Sequence, residues 1–443
     1  MSNRQLSGLI IFLMIVNSGY TQILNTYSTL NSPIPDNTVR AVCIEPGGTK
    51  WFGTNNGLVR YDGSEWLVFS KTDETQTLAD NQISDIAFEH GGYGPEIWIG
   101  TENGLTILDV DSTDGYTFAT PYRTDNRPLL GNSIQAVKVD SQHVKWIATD
   151  RGVSVFDGTN WNGLTKENGF LEENDVTCIG IDNECDSLWR YFGTRSKGVS
   201  RIYISDLDGI TAASHYNTEW TFMLSDSIRD IYVVNESKHW IGSNRGVAEH
   251  DTTLTKERWT IHTTGSGLVN DRILSIAQDL RGWMWFGTEG GLSGWDGTVY
   301  SNYTTAEGMS GNAVYDIAVD VDGSLWLGTD NGITHFNPPP STVNRAVSGQ
   351  NAGSHCLYQN HPNPFNPITM IRYDLTEKAQ VTITIRDISG RLIALLMNDI
   401  QEAGLHKITW DATPYPSGIY LAGFQVNGPS GQFSSCQRMV YIK

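Results

Sequence analysis

Short runs in which β-branched residues alternate with polar ones recur along most of the chain, and each run opens on Asn or Asp. They read NTVRAVCI from Asn37, NQISDIAF from Asn81, NSIQAVKV from Asn132 and NDVTCIGI from Asn174, then DSIRDIYV from Asp226, DRILSIAQ from Asp271 and NAVYDIAV from Asn312. Such alternation predicts half-buried strands. A turn such as PGGT or VDGS leads each run into a block of four: WFGT at Trp51, WIGT at Trp98, WIAT at Trp146, YFGT at Tyr191, WIGS at Trp240, WFGT at Trp285 and WLGT at Trp326. Successive blocks lie 47, 48, 45, 49, 45 and 41 residues apart. A glycine follows each one (Gly57, Gly104, Gly152, Gly198, Gly246, Gly291, Gly332), where a tight turn asks for positive φ. Third strands end in YDG, FDG or WDG at Asp62, Asp157 and Asp296, a hairpin signal. With a variable fourth strand, seven four-stranded units of this period predict a seven-bladed β-propeller rather than a helical solenoid.

The seventh unit stops after its third strand at GITHFNPPP, where prolines end sheet pairing. The segment ILNTYSTLNSPIPDN resembles the fourth strand and crossover ahead of other units, so Ile23–Leu30 is expected to supply the outer strand of the last blade and lock the ring. The recurring D/N-x-I-x-x-I and W-I-G-T-x-x-G-L pattern, over about Ile23–Pro340, resembles the two-component regulator propeller repeat. That resemblance implies the propeller fold and, in many relatives, a sensor domain ahead of a histidine kinase; no kinase follows in this sequence.

A Ser/Asn/Gly-rich linker, 341–355, separates the repeats from a segment of different grammar. ITMIRYDL, QVTITIRDI, GLHKITWD and SGIYLAGFQV read as strands, with a hairpin turn at Ser389–Arg391, and CQRMVYIK closes the chain. Residues 356–443 thus predict a small immunoglobulin-like sandwich. The elements Pro362-Asn363-Pro364-Phe365-Asn366-Pro367, Asp387 to Arg391, Ala403-Gly404-Leu405-His406, Trp410-Asp411 and Ser417-Gly418-Ile419-Tyr420 resemble the C-terminal sorting domain of type IX secretion cargo, related to the flagellar-hook-capping Ig-like module. Arg438 stands where Lys is common, and the loop ATPYPS lacks a Gly-rich turn. The resemblance implies an address read by an outer-membrane translocon, with the passenger released or attached at the cell surface.

The chain's start is consistent with that route. Arg4 followed by the apolar GLIIFLMIV and then NSGYTQ predicts an export signal over residues 1–22; nine apolar residues are about half a membrane span. The expected destination is extracellular or the outer cell surface, after export through the periplasm, with no transmembrane segment. The net charge of −19 argues against nucleic acid as partner. Five cysteines (Cys43, Cys178, Cys185, Cys356, Cys436) include no C-x-x-C pair, so no zinc site is expected. Cys356 and Cys436 flank the C-terminal module, and the sequence leaves a bridge between them open.

No catalytic motif appears: there is no H-E-x-x-H, G-x-S-x-G, P-loop or G-x-G-x-x-G. The histidines, among them His143, His239 and His335, are read as scattered packing or surface residues. DVDSTDG (Asp109–Gly115) evokes a calcium loop but misses its ligand spacing by one, and reads better as a connecting loop. Propeller geometry sets the opening Asn and Asp residues around one end of the channel, where a sevenfold residue type favours turn capping over ligand binding. Departures from the repeat carry more. At the second-to-third-strand turn, units three to five hold Arg151, Arg195 with Lys197, and Arg245, where other units read NN, EN, EG and DN. Arg40, Arg229 and Arg272, just inside first strands, extend the basic set. These residues are expected to bind a carboxylate or other anion of a glycan, peptide or protein, without catalysis. The alternatives are a secreted propeller hydrolase or lyase with its site at the channel mouth, and an accessory part of a larger surface assembly.

Overall fold

The computed structural model describes residues 23–338 and 356–441, apart from short segments at 46, 72–76, 92–93, 112–114, 141, 182–188, 207–208, 236, 253–257, 280, 359, 361–364, 376, 388–390 and 430. The expected export signal, the linker, Cys185, Pro362–Pro364 and the Ser389–Gly390 turn therefore fall outside the described residues, as do the side chains of Cys356, Cys436 and Arg438.

Seven four-stranded antiparallel sheets follow the seven sequence units. Blade 1 consists of Val39–Ile44, Lys50–Thr54, Gly57–Tyr61 and Trp66–Phe69, and blades 2 to 6 repeat that order. Blade 7 takes three strands from Val314–Phe336 and its outermost from Ile23–Tyr27, which pairs antiparallel with Gly332–Phe336. The ring is closed as expected, with the closing strand ending at Tyr27.

The core lies between blades, and this explains the four-residue block. Trp51 is fully buried with Ala41 and Leu58 of its own blade against Ile83, Ile86 and Ile97 of the next. Trp326 does the same between blade 7 and Val39, Val42 and Phe52 of blade 1. Each remaining interface has its own such cluster. In three blades the indole N–H is satisfied by an Asp six residues earlier: Trp146 by Asp140, Trp285 by Asp279 and Trp326 by Asp320, at 3.0–3.1 Å. Such a Trp is worth about 3–5 kcal/mol against alanine. The glycine of the block is needed for approach: a Cβ on Gly53 would meet the Ile83 side chain of the next blade at 2.4 Å. The block's Thr, as at Thr54 and Thr329, donates its hydroxyl to the glycine carbonyl that closes the turn.

The opening Asn or Asp of each unit is a staple. Asn37, Asn132, Asn174 and Asn312 accept the amides of Thr29, Thr124, Lys166 and Thr305 at 2.7–2.8 Å, and Asn81, Asp226 and Asp271 make the equivalent bond. The carbonyls of five of them (Asn37, Asn81, Asn132, Asp226 and Asp271) accept from the turn glycine of the preceding blade, as from Gly57 to Asn81 at 2.8 Å and from Gly332 to Asn37 at 2.6 Å. Crossovers and second-to-third-strand turns thus share one face, and the capping reading accounts for all seven residues.

In the C-terminal module, Cys356–Leu357, Ile368–Leu375 and Gly404–Asp411 form one sheet. Leu392–Gln401, Ala379–Asp387, Gly418–Gly428 and Gly431–Tyr441 form a second. Phe365, Tyr373, Trp410 and Phe424 fill a common core.

Candidate functional site

Inner strands run down a central channel, and side chains on them line a cavity of about 820 Å³. Arg40 in blade 1, Arg229 in blade 5 and Tyr315 in blade 7 occupy the same position, three residues after the opening Asn or Asp. Arg40 Nε donates to Asn55 Oδ1 at 2.8 Å, and its guanidinium lies 5.1 Å from the Tyr315 ring centre. Arg229 repeats the arrangement, Nε donating to Asn244 Oδ1 at 2.9 Å. Neither arginine has a hydrogen-bond or ion-pair partner for its terminal nitrogens among the described residues. Arg272 and Arg195 line the same cavity. Arg272 holds Glu289 at 2.9 Å, and Arg195 Nε holds Asp175 at 2.5 Å. Burial, followed by the charges of Arg272 and Arg195, lowers the affinity of Arg229 for its proton. The hydrogen bond to Asp175 raises that of Arg195.

Of the seven basic residues singled out in the sequence, these four share the channel. Lys197 lines a separate cleft beside blade 5. Arg245 is exposed in a small depression with Met223 and Leu224. Arg151 lines none of these cavities and stands 74% exposed, 3.9 Å from Asp150. The turn arginines of blades 3 to 5 therefore point to three different places rather than to one arc.

Below the arginines the channel turns acidic. Asp85, Asp230 and Asp316 each sit just past a bulge in an inner strand. One carboxylate oxygen of each accepts the next residue's amide, and the other accepts an amide across a blade boundary: Val137, Ile276 and Val42 at 2.6–2.8 Å. Burial pushes the Asp316 carboxyl up to about 7, with Asp85 adding repulsion and Lys138 opposing it. Asp230 is raised by the same causes. Lys138 enters the lumen from blade 3 and is held more strongly protonated, chiefly by Asp85.

Histidine placement departs from the scattered reading. The β-hairpin register of blade 5 sets His239 opposite His250, with ring nitrogens 2.9 Å apart and both rings buried. His262 on the outer strand lies 3.4 Å from Glu249 and 2.6 Å from the Tyr300 hydroxyl of blade 6. Counting outward from the Gly246 turn pairs 239 with 250, a signal the spacing along the chain conceals. His335 is engaged too, stacked on Trp326 and bonded to Ser324 at 2.9 Å. Among the described residues no group of three or more His, Cys, Asp or Glu could hold a metal ion, and the tip of the Asp109–Gly115 loop lies outside them.

Comparison with known proteins places these features. A family model described as Secretion system C-terminal sorting domain matches residues 359–433, and one described as Two component regulator propeller matches residues 308–331. No curated protein matches the chain significantly. Among solved structures, the extracellular domain of BT3049 from B. thetaiotaomicron, described as a hybrid two component system, superposes with a TM-score of 0.58 at 16% identity. That match covers 94% of this chain and 57% of the other. PorZ, an essential surface component of the type-IX secretion system of Porphyromonas gingivalis, gives 0.53 at 17% identity, covering 93% and 61%. This chain therefore spans roughly three-fifths of the length of either structure, and at such identities the likeness is one of fold. Among the described residues, no helix is long and apolar enough to cross a membrane. The chain is a seven-bladed propeller with a two component regulator propeller repeat at residues 308–331, and it carries a type IX secretion C-terminal sorting domain, which addresses it to the cell surface or the extracellular space.

Proposed function

We propose that the exported propeller is a ligand-binding module without catalysis, and that its ligand presents a carboxylate or similar anion to the channel mouth. The observation that carries this reading is the pairing of Arg40 with Asn55 and of Arg229 with Asn244. Each arginine is fixed through Nε while both terminal nitrogens stay unengaged in a cavity of small-ligand size. Two pre-oriented guanidinium forks suit bidentate carboxylate recognition, and fixing them in advance lowers the ordering cost of binding. In a protein of net charge −19, four arginines around one cavity also favour the approach of an anion there.

The test is a screen of anionic glycans and acidic peptides on wild type, on R40Q/R229Q and on R151Q/R245Q. The channel pair is expected to weaken binding at least tenfold, and the rim pair to change it little. Unchanged binding by R40Q/R229Q sinks the proposal. A stoichiometric divalent ion in the purified protein, located at the mouth, would favour a hydrolase or lyase instead.

A further inference from the structure

The crossovers between blades follow one rule, and the crossover from blade 4 to blade 5 breaks it. In five described crossovers, the third residue after the crossover's first caps that first residue's amide with its own side chain. Asn31 accepts from Ser28, Asn126 from Arg123, Asn168 from Thr165, Ser266 from Thr263 and Glu307 from Thr304, at 2.7–2.9 Å. At the same position the blade 4–5 crossover carries Trp220. Its indole cannot accept that bond. The turn is held from the other end, where Asn217 Oδ1 accepts the amides of Glu219 and Trp220 at 3.0 and 3.1 Å. The Trp220 side chain is thereby released from holding the turn, and the residue stands 79% exposed.

It is exposed at the edge of a polar cleft of about 480 Å³, shared with Glu172, Lys197, His215 and Glu219. Glu172 and His215 hold each other at 3.3 Å, and His215 reaches Ser200 at 3.2 Å. The Lys197 ammonium and the Glu219 carboxylate have no hydrogen-bond or ion-pair partner among the described residues. An anion would meet Glu172 and Glu219, and a cation would meet Lys197. An apolar ligand would strip water from all of them without replacing it. A sugar ring avoids each cost. Its C–H face packs on the indole, while its hydroxyls, each donor and acceptor at once, satisfy a lysine and a carboxylate together.

We infer that the Trp220 cleft is a carbohydrate-binding site for an uncharged saccharide, separate from the arginine-lined channel mouth. Phe222 and Leu224 continue an exposed apolar edge away from the cleft, and a protein partner would use them as well.

The experiment probes the full chain with a printed array of neutral oligosaccharides and titrates the hits by calorimetry. W220A is expected to weaken the best hit at least tenfold and E219Q or K197A several-fold. F222A and L30A, the latter an exposed Leu on another crossover, should bind as wild type does. Thermal melts should show W220A folded, since Asn217 holds the turn. The inference is overturned if no neutral saccharide binds, if binding survives W220A, or if F222A weakens it as much as W220A does. It is equally overturned if W220A alters only self-association or capture of a protein.

Discussion

Asp85, Asp230 and Asp316 use both carboxylate oxygens to tie one inner strand to the next, so the residues that stitch the channel are also its buried charges. Burial lifts Asp316 to about 7, above the roughly 3.9 of an unfolded chain. Between about pH 4 and 7 the folded protein keeps a proton that the unfolded chain has released. Its contribution is therefore whole below pH 4 and declines as pH rises to 7. Urea unfolding at pH 5 and pH 7.5 should show wild type losing on the order of 2 kcal/mol more than D316N over that interval. Equal slopes for the two proteins would refute this. The sequence shows these three acids only as polar residues in an otherwise apolar alternation. The neighbouring-blade amides they accept are 46 to 274 residues away, which no local pattern reveals. The opening Asn and Asp residues were legible because their partners sit within ten residues on the same crossover.

Among the elements, blade 5 carries a buried polar interior. His239 packs against His250, Tyr191 and Tyr216, and burial followed by the His250 charge holds its pKa well below the ordinary value. An unfolded histidine takes up a proton near pH 6.5, whereas this one stays neutral in the fold. Stability from His239 is thus complete above pH 6.5 and is lost as pH falls below it. Chemical unfolding between pH 7.5 and 5.5 should cost wild type about 1 kcal/mol more than H239F, which keeps a ring between the two tyrosines. Parallel loss in both would assign the acid sensitivity elsewhere. The strands themselves were readable from alternation and turn residues. What each contributes to the site depends on register, and Arg151, Arg195 and Arg245 illustrate it. All three lie in the second-to-third-strand turn, but Arg195 stands one place earlier than Arg151 and Arg245, where blades 3 and 5 have Asp150 and Asn244, and from that place it reaches Asp175 and the channel.

For the whole molecule, closure rests on one short strand. Tyr27 stacks on Trp326 at 6.0 Å and meets Trp66 at 5.1 Å, and its carbonyl lies 2.1 Å from where a Cβ on Gly332 would stand. With φ at +117°, Gly332 is fixed on two counts. Deleting Ile23–Tyr27 should bare the Gly332–Phe336 edge, cost about 3 kcal/mol or more, and open blade 7 to protease; limited proteolysis and melting curves measure both. A truncated ring as stable as the intact one would contradict this account. Prolines after the third strand of the last unit made the missing strand visible in the sequence, and the repeat's own grammar said where to find it.

The pairing of Ile23 with Phe336 has a further consequence. The third strand of blade 7 starts at Gly332 on the channel-mouth face and runs away from it, so the chain both enters and leaves the ring on the opposite face. A passenger tethered through the segment that follows Phe336 is held from behind, like a dish on its stalk. Such a tether would leave the arginine-lined opening on the face away from the point of attachment.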